Sequence, residues 1–164
     1  MKLKARPAKK DDLMLLFNWF NDSLTRRMSF NQDPISLETH KEWFNKLLSQ
    51  GSTRLIIIEQ NEDSGNWTPI AQVQIDKNGE ITMSLASEFR GQHLAKSVIK
   101  TGIAYIRRDP SIKKLVAHIR NENIASVKAF EKAGFLLTCE TTVSGHQCFE
   151  YIYKIPDRKY GLFY

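Results

Sequence analysis

A chain of 164 residues with 41% apolar and 26% charged side chains can bury one sizeable core but is too short for two domains of ordinary size, so residues 1–164 are expected to form a single domain. The balance excludes a disordered chain, no apolar run nears the length of a membrane span, and MKLKARPAKKDD has charge without an apolar signal segment, so a cytoplasmic protein with no membrane partner is expected. The excess of 24 Lys and Arg over 18 Asp and Glu suits a polyanionic partner, yet the basic pairs fall in different predicted elements and no predicted strand shows exposed aromatic pairs for base stacking. A small phosphorylated ligand fits such a dispersed excess, and no nucleic-acid partner is expected.

In chain order, Lys2 to Ala8 reads as a strand, and Asp11 or Asp12 then caps a helix with Leu13, Leu16, Phe17 and Phe20 on one side. The segment NDSLTRRMSFNQDP reads as a loop or broken helix with exposed arginines. Ser36 is the N-cap of a helix from Leu37 to Ser49, with Trp43, Phe44, Leu47 and Leu48 as its apolar stripe and Gly51 as its stop. RLIIIE (54–59) is a strand. IAQVQI follows a polar loop and alternates Ala71, Val73 and Ile75 with Gln72 and Gln74. Asn78-Gly79 marks a tight hairpin turn into a strand through Ile81, Met83 and Leu85.

The next helix carries Leu94, Val98, Ile99, Gly102, Ile103 and Ile106 at spacings of three and four. Leu115 to Ile119 is a short strand. Asn123 to Ala133 is a helix capped by Asn123 and stopped by Gly134. Two strands, Phe135 to Thr141 and Gln147 to Lys154, close the pattern around Ser144-Gly145. The order β-α-α-β-β-β-α-β-α-β-β predicts an α/β or α+β sandwich, one mixed sheet with helices on its faces. Cys139 and Cys148 have no CxxC pattern and no nearby histidine pair, so they read as buried or half-buried free thiols, and no metal is expected.

The stretch SEFRGQHLAKSV (87–98) leaves a strand and enters a helix. That junction gathers unpaired backbone N–H groups and the positive end of a helix dipole. The N–H groups of Gly91 to Ala95 can converge on a pyrophosphate, with Arg90 adding a charge-assisted contact. Only one glycine is present, and His93 stands where a second would let the backbone approach phosphate most closely.

Arg90-Gly91-Gln92-His93-Leu94-Ala95 resembles the Arg/Gln-x-x-Gly-x-Gly/Ala loop of the GCN5-related N-acetyltransferase (GNAT) superfamily, departing from it at His93. Asn123-Ile124-Ala125-Ser126 followed by Phe130-Glu131-Lys132-Ala133-Gly134-Phe135 is similar to that superfamily's second signature. The resemblance implies a mostly antiparallel central sheet of about seven strands with helices on both faces, splayed between strands 4 and 5 after a bulge in strand 4. It also implies an acceptor-side strand and helices in residues 1–52 and an acyl-CoA-binding core in 53–164, the last few residues being a tail, which lies outside the residues described below. Trp19-Phe20-Asn21-Asp22, Thr25 to Phe30, His40 and Trp43-Phe44 resemble the subgroup of ribosomal-protein N-terminal acetyltransferases and nonulosonic (pseudaminic-type) amino-sugar acetyltransferases, with TRRMSF and H-x-x-W-F closer to the sugar enzymes.

Carried onto this sequence, the resemblance implies acetyl-CoA as co-substrate. Its contacts fall on Leu85, Ala86, Ser87, Arg90, Gly91, Gln92, His93, Leu94, Ala95, Lys96, Asn123, Ser126 and Phe130. The Leu85 backbone N–H is expected to face the thioester oxygen, and Glu80 is the first candidate base, with Glu88 and His118 behind it. Phe130 occupies the place of the tyrosine that often protonates the leaving thiolate. Asn21, Arg26, Arg27, Phe30 and His40 are expected on the acceptor side, where an arginine fork suits a nucleotide diphosphate or an acidic peptide. The expected activity is direct acetyl transfer to the amine of a nucleotide-linked amino sugar. The alternatives are a protein N-terminus as acceptor or a non-catalytic CoA-binding module, in a monomer or homodimer. His146 reads as an exposed turn residue.

Overall fold

An unbroken apolar run such as LIII suits a strand covered on both faces, and in the computed structural model, which describes residues 2–61 and 65–156, it lies inside such a strand. Among the described residues the chain order is β1 (Lys2–Pro7), α1 (Leu13–Phe20), α2 (Ser23–Met28), α3 (Leu37–Gln50), β2 (Arg54–Asn61), β3 (Trp67–Ile75), β4 (Ile81–Leu85), α4 (Ala95–Ile106), β5 (Lys114–Arg120), α5 (Ile124–Ala133), β6 (Leu136–Val143) and β7 (His146–Lys154). The strands form two antiparallel sheets, β1-β2-β3-β4 and β5-β7-β6. They meet at a parallel bridge between Glu80 and Val116, beside which Val116 N–H donates to Gly79 O at 2.9 Å. Beyond that bridge β4 and β5 diverge, so the single sheet expected from sequence is split where the splay was expected.

Along β2 the side chains alternate between two cores. Ile56 and Ile58 join Val98, Ile99 and Ile103 of α4 and Phe130 of α5, whereas Leu55 and Ile57 join Leu16, Trp19 and Phe44 of α1 and α3. Ile56, Ile57 and Ile58 are fully enclosed, and each such side chain contributes about 1.5–3 kcal/mol through removal from water. Helices thus cover both faces.

The helix ends follow their capping chemistry. Ser36 accepts from Thr39 N–H at 3.1 Å and Asn123 from Ser126 N–H at 3.2 Å, while Gly51 and Gly134 take left-handed conformations at the far ends. Asp12 departs from its expected role at the start of α1. Its carboxylate accepts from Lys9 N–H at 2.7 Å and from both terminal nitrogens of Arg6, because a short 3-10 turn (10–12) intervenes. The broken-helix segment holds a real helix, α2, whose N-cap Asp22 accepts from Thr25 N–H at 2.9 Å.

Two further expectations are corrected. The β3–β4 register runs without interruption from Ala71↔Leu85 to Ile75↔Ile81, so no bulge lies within it. The irregularity sits instead between β2 and β3, where Ile58 faces Ala71, Glu59 faces Pro69, and Ile70 is the extra residue. Cys139 is exposed rather than buried or half-buried, because β6 is an edge strand; Cys148 is buried, and both are free thiols. Among the described residues no helix is long and apolar enough to cross a membrane, and no three His, Cys, Asp or Glu side chains group as metal ligands.

Candidate active site

The divergence of β4 and β5 opens a cavity of about 590 Å³. Its walls come from Phe20, from Leu24, Thr25, Arg26, Met28, Ser29 and Phe30 in and after α2, from Gln72 of β3, from β4, from Ala117 to Arg120 of β5, and from one face of α5 that includes Ser126 and Phe130. Arg90 and Ala95 close the end next to α4.

The backbone supplies donors at two places. Ala86 N–H donates to Ile70 O at 2.9 Å. Bonded and non-bonded pairs alternate along an antiparallel ladder, so the N–H and C=O of Leu85 point away from β3, toward the gap before β5. Leu85 O accepts there from Arg90 Nη2 at 3.2 Å. The second place is the loop into α4. Gly91 has φ 75° and His93 φ 58°, the left-handed geometry that turns successive N–H groups inward. No amide from Gly91 through Ser97 donates to a described protein group, and α4 has no side-chain cap. His93 adopts the conformation a glycine would take, and its side chain is exposed.

The remaining residues of this stretch divide by role. Ala86 is buried with its N–H engaged, and Ser87 is exposed with its hydroxyl on Glu88 at 2.9 Å. Leu94 is buried under the turn, Lys96 is exposed in the first turn of α4, and Gln92 ties back to Glu88 O at 2.9 Å. The Arg90 guanidinium, expected on a pyrophosphate, is held by Asp22 Oδ2 at 2.6 Å and Thr25 Oγ1 at 3.1 Å. That pair, with the Thr25 amide, holds the Asp22 carboxyl below the usual carboxylate range.

Of the candidate bases, His118 faces the cavity. Its Nδ1 lies 3.1 Å from Glu80 Oε1 and its Nε2 3.3 Å from Glu150 Oε2. Glu80 does not line the cavity, so it reaches it only through the imidazole. Glu150 also accepts from the Thr138 hydroxyl at 2.8 Å, which with the His118 contact lowers its carboxyl below the ordinary range. Glu88 is exposed on the neighbouring turn. Phe130 is 2% exposed, packs edge-on against Phe135 at 4.9 Å between ring centres, and presents its remaining edge to the cavity.

The structure sorts the expected acceptor-side residues sharply. Arg26 and Phe30 line the cavity. Arg26 donates to Asn31 O at 3.0 Å and Ser29 Oγ at 3.2 Å, pairs with no carboxylate among the described residues, and has a buried Nε without a partner. Asn21 instead brackets Ile35, donating to its O at 3.0 Å and accepting from its N–H at 2.8 Å. Arg27 is exposed and away from the cavity. His40 is 1% exposed among Phe17, Phe20, Trp43 and Phe44, with Nε2 donating to Leu13 O at 2.9 Å, and burial pushes its pKa down. It is a neutral core residue.

Four contributors escaped sequence reading. Arg120 donates to Arg27 O at 2.9 Å and Ser29 O at 3.0 Å and also pairs with Glu122, holding the end of α2 against β5. His146 is not a free turn residue: its Nε2 lies 3.2 Å from Phe30 O. Gln72 and Ser84 form a polar cross-strand pair in the cavity wall at 3.3 Å.

Comparison with known proteins agrees with this fold. The chain is 23% identical over 137 residues to spermidine N(1)-acetyltransferase of Vibrio cholerae, covering 82% of this chain and 79% of that one. Among solved structures, the aminoglycoside acetyltransferase AAC(6')-Ib with ribostamycin and coenzyme A superposes with a TM-score of 0.81 at 18% identity, covering 94% of each chain. The Vibrio cholerae spermidine N-acetyltransferase with CoA and spermine gives a TM-score of 0.79 at 19% identity, over 93% of this chain and 95% of that one. These structural likenesses show the fold, and the relatives are spermidine and aminoglycoside enzymes rather than the expected subgroup. Residues 2–136 match the acetyltransferase (GNAT) domain, and the chain belongs to the GNAT family of N-acetyltransferases.

Proposed function

We propose that this acetyltransferase moves the acetyl group of acetyl-CoA directly to the primary amine of an anionic acceptor, a nucleotide-linked amino sugar. The observation that carries the acceptor class is Arg26. It is a guanidinium in the cavity wall beside α2 that pairs with no carboxylate among the described residues, and burial lowers its pKa. A half-buried cation without a counter-ion favours an anion and disfavours a polycation. Spermidine and aminoglycosides are polycations.

In this reading the free amides from Gly91 through Ser97 hold the pyrophosphate of the donor. Leu85 N–H points at the thioester oxygen and stabilises the charge that develops on it. The proton released by the amine is taken up by the set of His118 with Glu80 and Glu150, the two carboxylates fixing the ring. Phe130 packs along the donor's arm and offers no phenol, so the proton held at His118 is available to the departing thiolate.

Thiol release measured over an acceptor panel tests the reading. UDP-linked amino sugars are expected to exceed spermidine, kanamycin and ribosomal-protein N-terminal peptides in kcat/KM by about 100-fold or more, a discrimination typical of a buried charge match. Arg26→Ala should remove most of that preference. Faster turnover of spermidine or kanamycin would overturn the anionic acceptor.

A further inference from the structure

Among the described buried side-chain atoms without a hydrogen-bond partner, two belong to residues of the cavity wall, Arg26 Nε and Gln72 Oε1. Gln72 is the more telling. It is 3% exposed, and the alternation of β3 made it look like an ordinary outward-facing polar residue. Its Nε2 donates to Ser84 Oγ at 3.3 Å, directly across the strand pair, while Oε1 has nothing to accept from. An amide oxygen buried in that state costs about 1–3 kcal/mol, which a fold without a use for it avoids by placing an apolar side chain there.

The position of this oxygen suggests what it serves. Gln72 is the direct partner of Ile57 across β2–β3, and residues opposite each other project to the same face. Ile57 belongs to the core under α1 and α3, so Gln72 projects to that face, away from the α4 face occupied by Val73. Its strand partner Ser84 immediately precedes Leu85, whose N–H faces the gap between β4 and β5.

We infer that Gln72, oriented by Ser84, is a specificity-determining residue of the acceptor site, its Oε1 accepting from an N–H or O–H of the acceptor close to the reacting nitrogen. The inference rests on the reading of the cavity's α2 side as the acceptor side. It deepens that reading by adding a neutral donor group to the anion sought by Arg26. An acceptor lacking a donor at that point leaves Oε1 unpaired and is rejected.

The test is Gln72→Met, which keeps the volume and removes the orphan oxygen. Removing an unsatisfied buried group leaves the melting temperature of the free protein unchanged or raises it, while KM for a UDP-linked amino sugar rises about 10–100-fold and KM for acetyl-CoA stays within about twofold. An unchanged acceptor KM, or a drop of several degrees in melting temperature, would overturn the inference. If UDP-linked amino sugars are not turned over, the anionic reading fails, and spermidine and kanamycin become the probes for the same KM comparison. Should wild type acetylate none of these amines, the melting temperature alone decides, with a clear loss counting against Gln72.

Discussion

Arg90 and Asp22 are joined at 2.6 Å across 68 positions of sequence, and the pair links the loop that enters α4 to the N-cap of α2. Asp22 accepts from the Thr25 amide at the same time, so one carboxylate both starts α2 and fixes it to the loop. The unpaired amides of the loop into α4 and the helix that walls the cavity are therefore set relative to one another by one ion pair.

This pair makes stability depend on pH in a definable window. The Arg90 hydrogen bond is the largest cause of the lowered Asp22 pKa, so its contribution is fully present above the unfolded-state carboxylate pKa and is lost as pH falls through the lower folded value. Asp22→Asn keeps a capable N-cap and removes the charge. It should cost about 1 kcal/mol at pH 7, with the difference from wild type shrinking as pH falls below the unfolded-state carboxylate pKa and vanishing below the lowered folded value. Chemical denaturation of both proteins across pH 2.5–7 checks this, and a pH-independent difference would show that the ion pair contributes nothing.

The loop makes a second prediction, through backbone conformation. His93 sits at φ 58°, where a side chain costs about 1 kcal/mol relative to glycine. His93→Gly should therefore leave CoA affinity unchanged or improve it. Gly91→Val, at φ 75°, should weaken it about tenfold or more by straining the turn that orients the amides. Calorimetric titration with CoA reads both, and a marked loss in His93→Gly would mean that the imidazole itself touches the ligand.

Much of the fold was legible because the local signals agreed. The runs in β2 and α4, the Ser36 and Asn123 caps and the stops at Gly51 and Gly134 each carry their own chemistry within a few residues. The loop between β4 and α4 was legible for the same reason. What escaped depends on contacts remote in sequence. His40 was expected on the acceptor side through the subgroup resemblance of H-x-x-W-F, but only the packing of α1 on α3 shows that its ring is buried. Gln72 looked solvated because strand alternation cannot distinguish a face open to water from one covered by α1 and α3. Arg120, at the end of KLVAHIR, could have been flagged as a charge on an otherwise buried strand; its partners, the Arg27 and Ser29 carbonyls, lie 93 and 91 positions away.

The acid–base assignment predicts an ordering of variants. His118→Asn should lower kcat by about 10²–10⁴ with acetyl-CoA affinity preserved. Glu80→Gln should cost less, since it orients the ring without facing the cavity. Single-turnover acetyl transfer measured on both variants gives the discriminating view, because it reads the chemical step apart from product release. A larger loss in Glu80→Gln than in His118→Asn would make the carboxylate the base.

The opening between the sheets depends on a close approach at Gly79. Its φ is 86°, and a Cβ added there would fall well inside contact distance of Lys114 O. Next to it, Gly79 O accepts from Val116 N–H at 2.9 Å, and Glu80 forms the parallel bridge that joins β4 to β5. Gly79→Ala therefore meets strain in the backbone and a clash with the other sheet at once, and relief requires β5 to move away from the turn. A loss of about 2–4 kcal/mol in stability is expected. Because the bridge sets where β4 and β5 begin to diverge, CoA affinity should fall as well, unlike the effect of a cavity-forming substitution confined to the α1–α3 core, such as Leu16→Ala. Denaturant midpoints and CoA titration on the two variants separate these outcomes: equal CoA affinity in Gly79→Ala and wild type would show that the bridge does not govern the cleft.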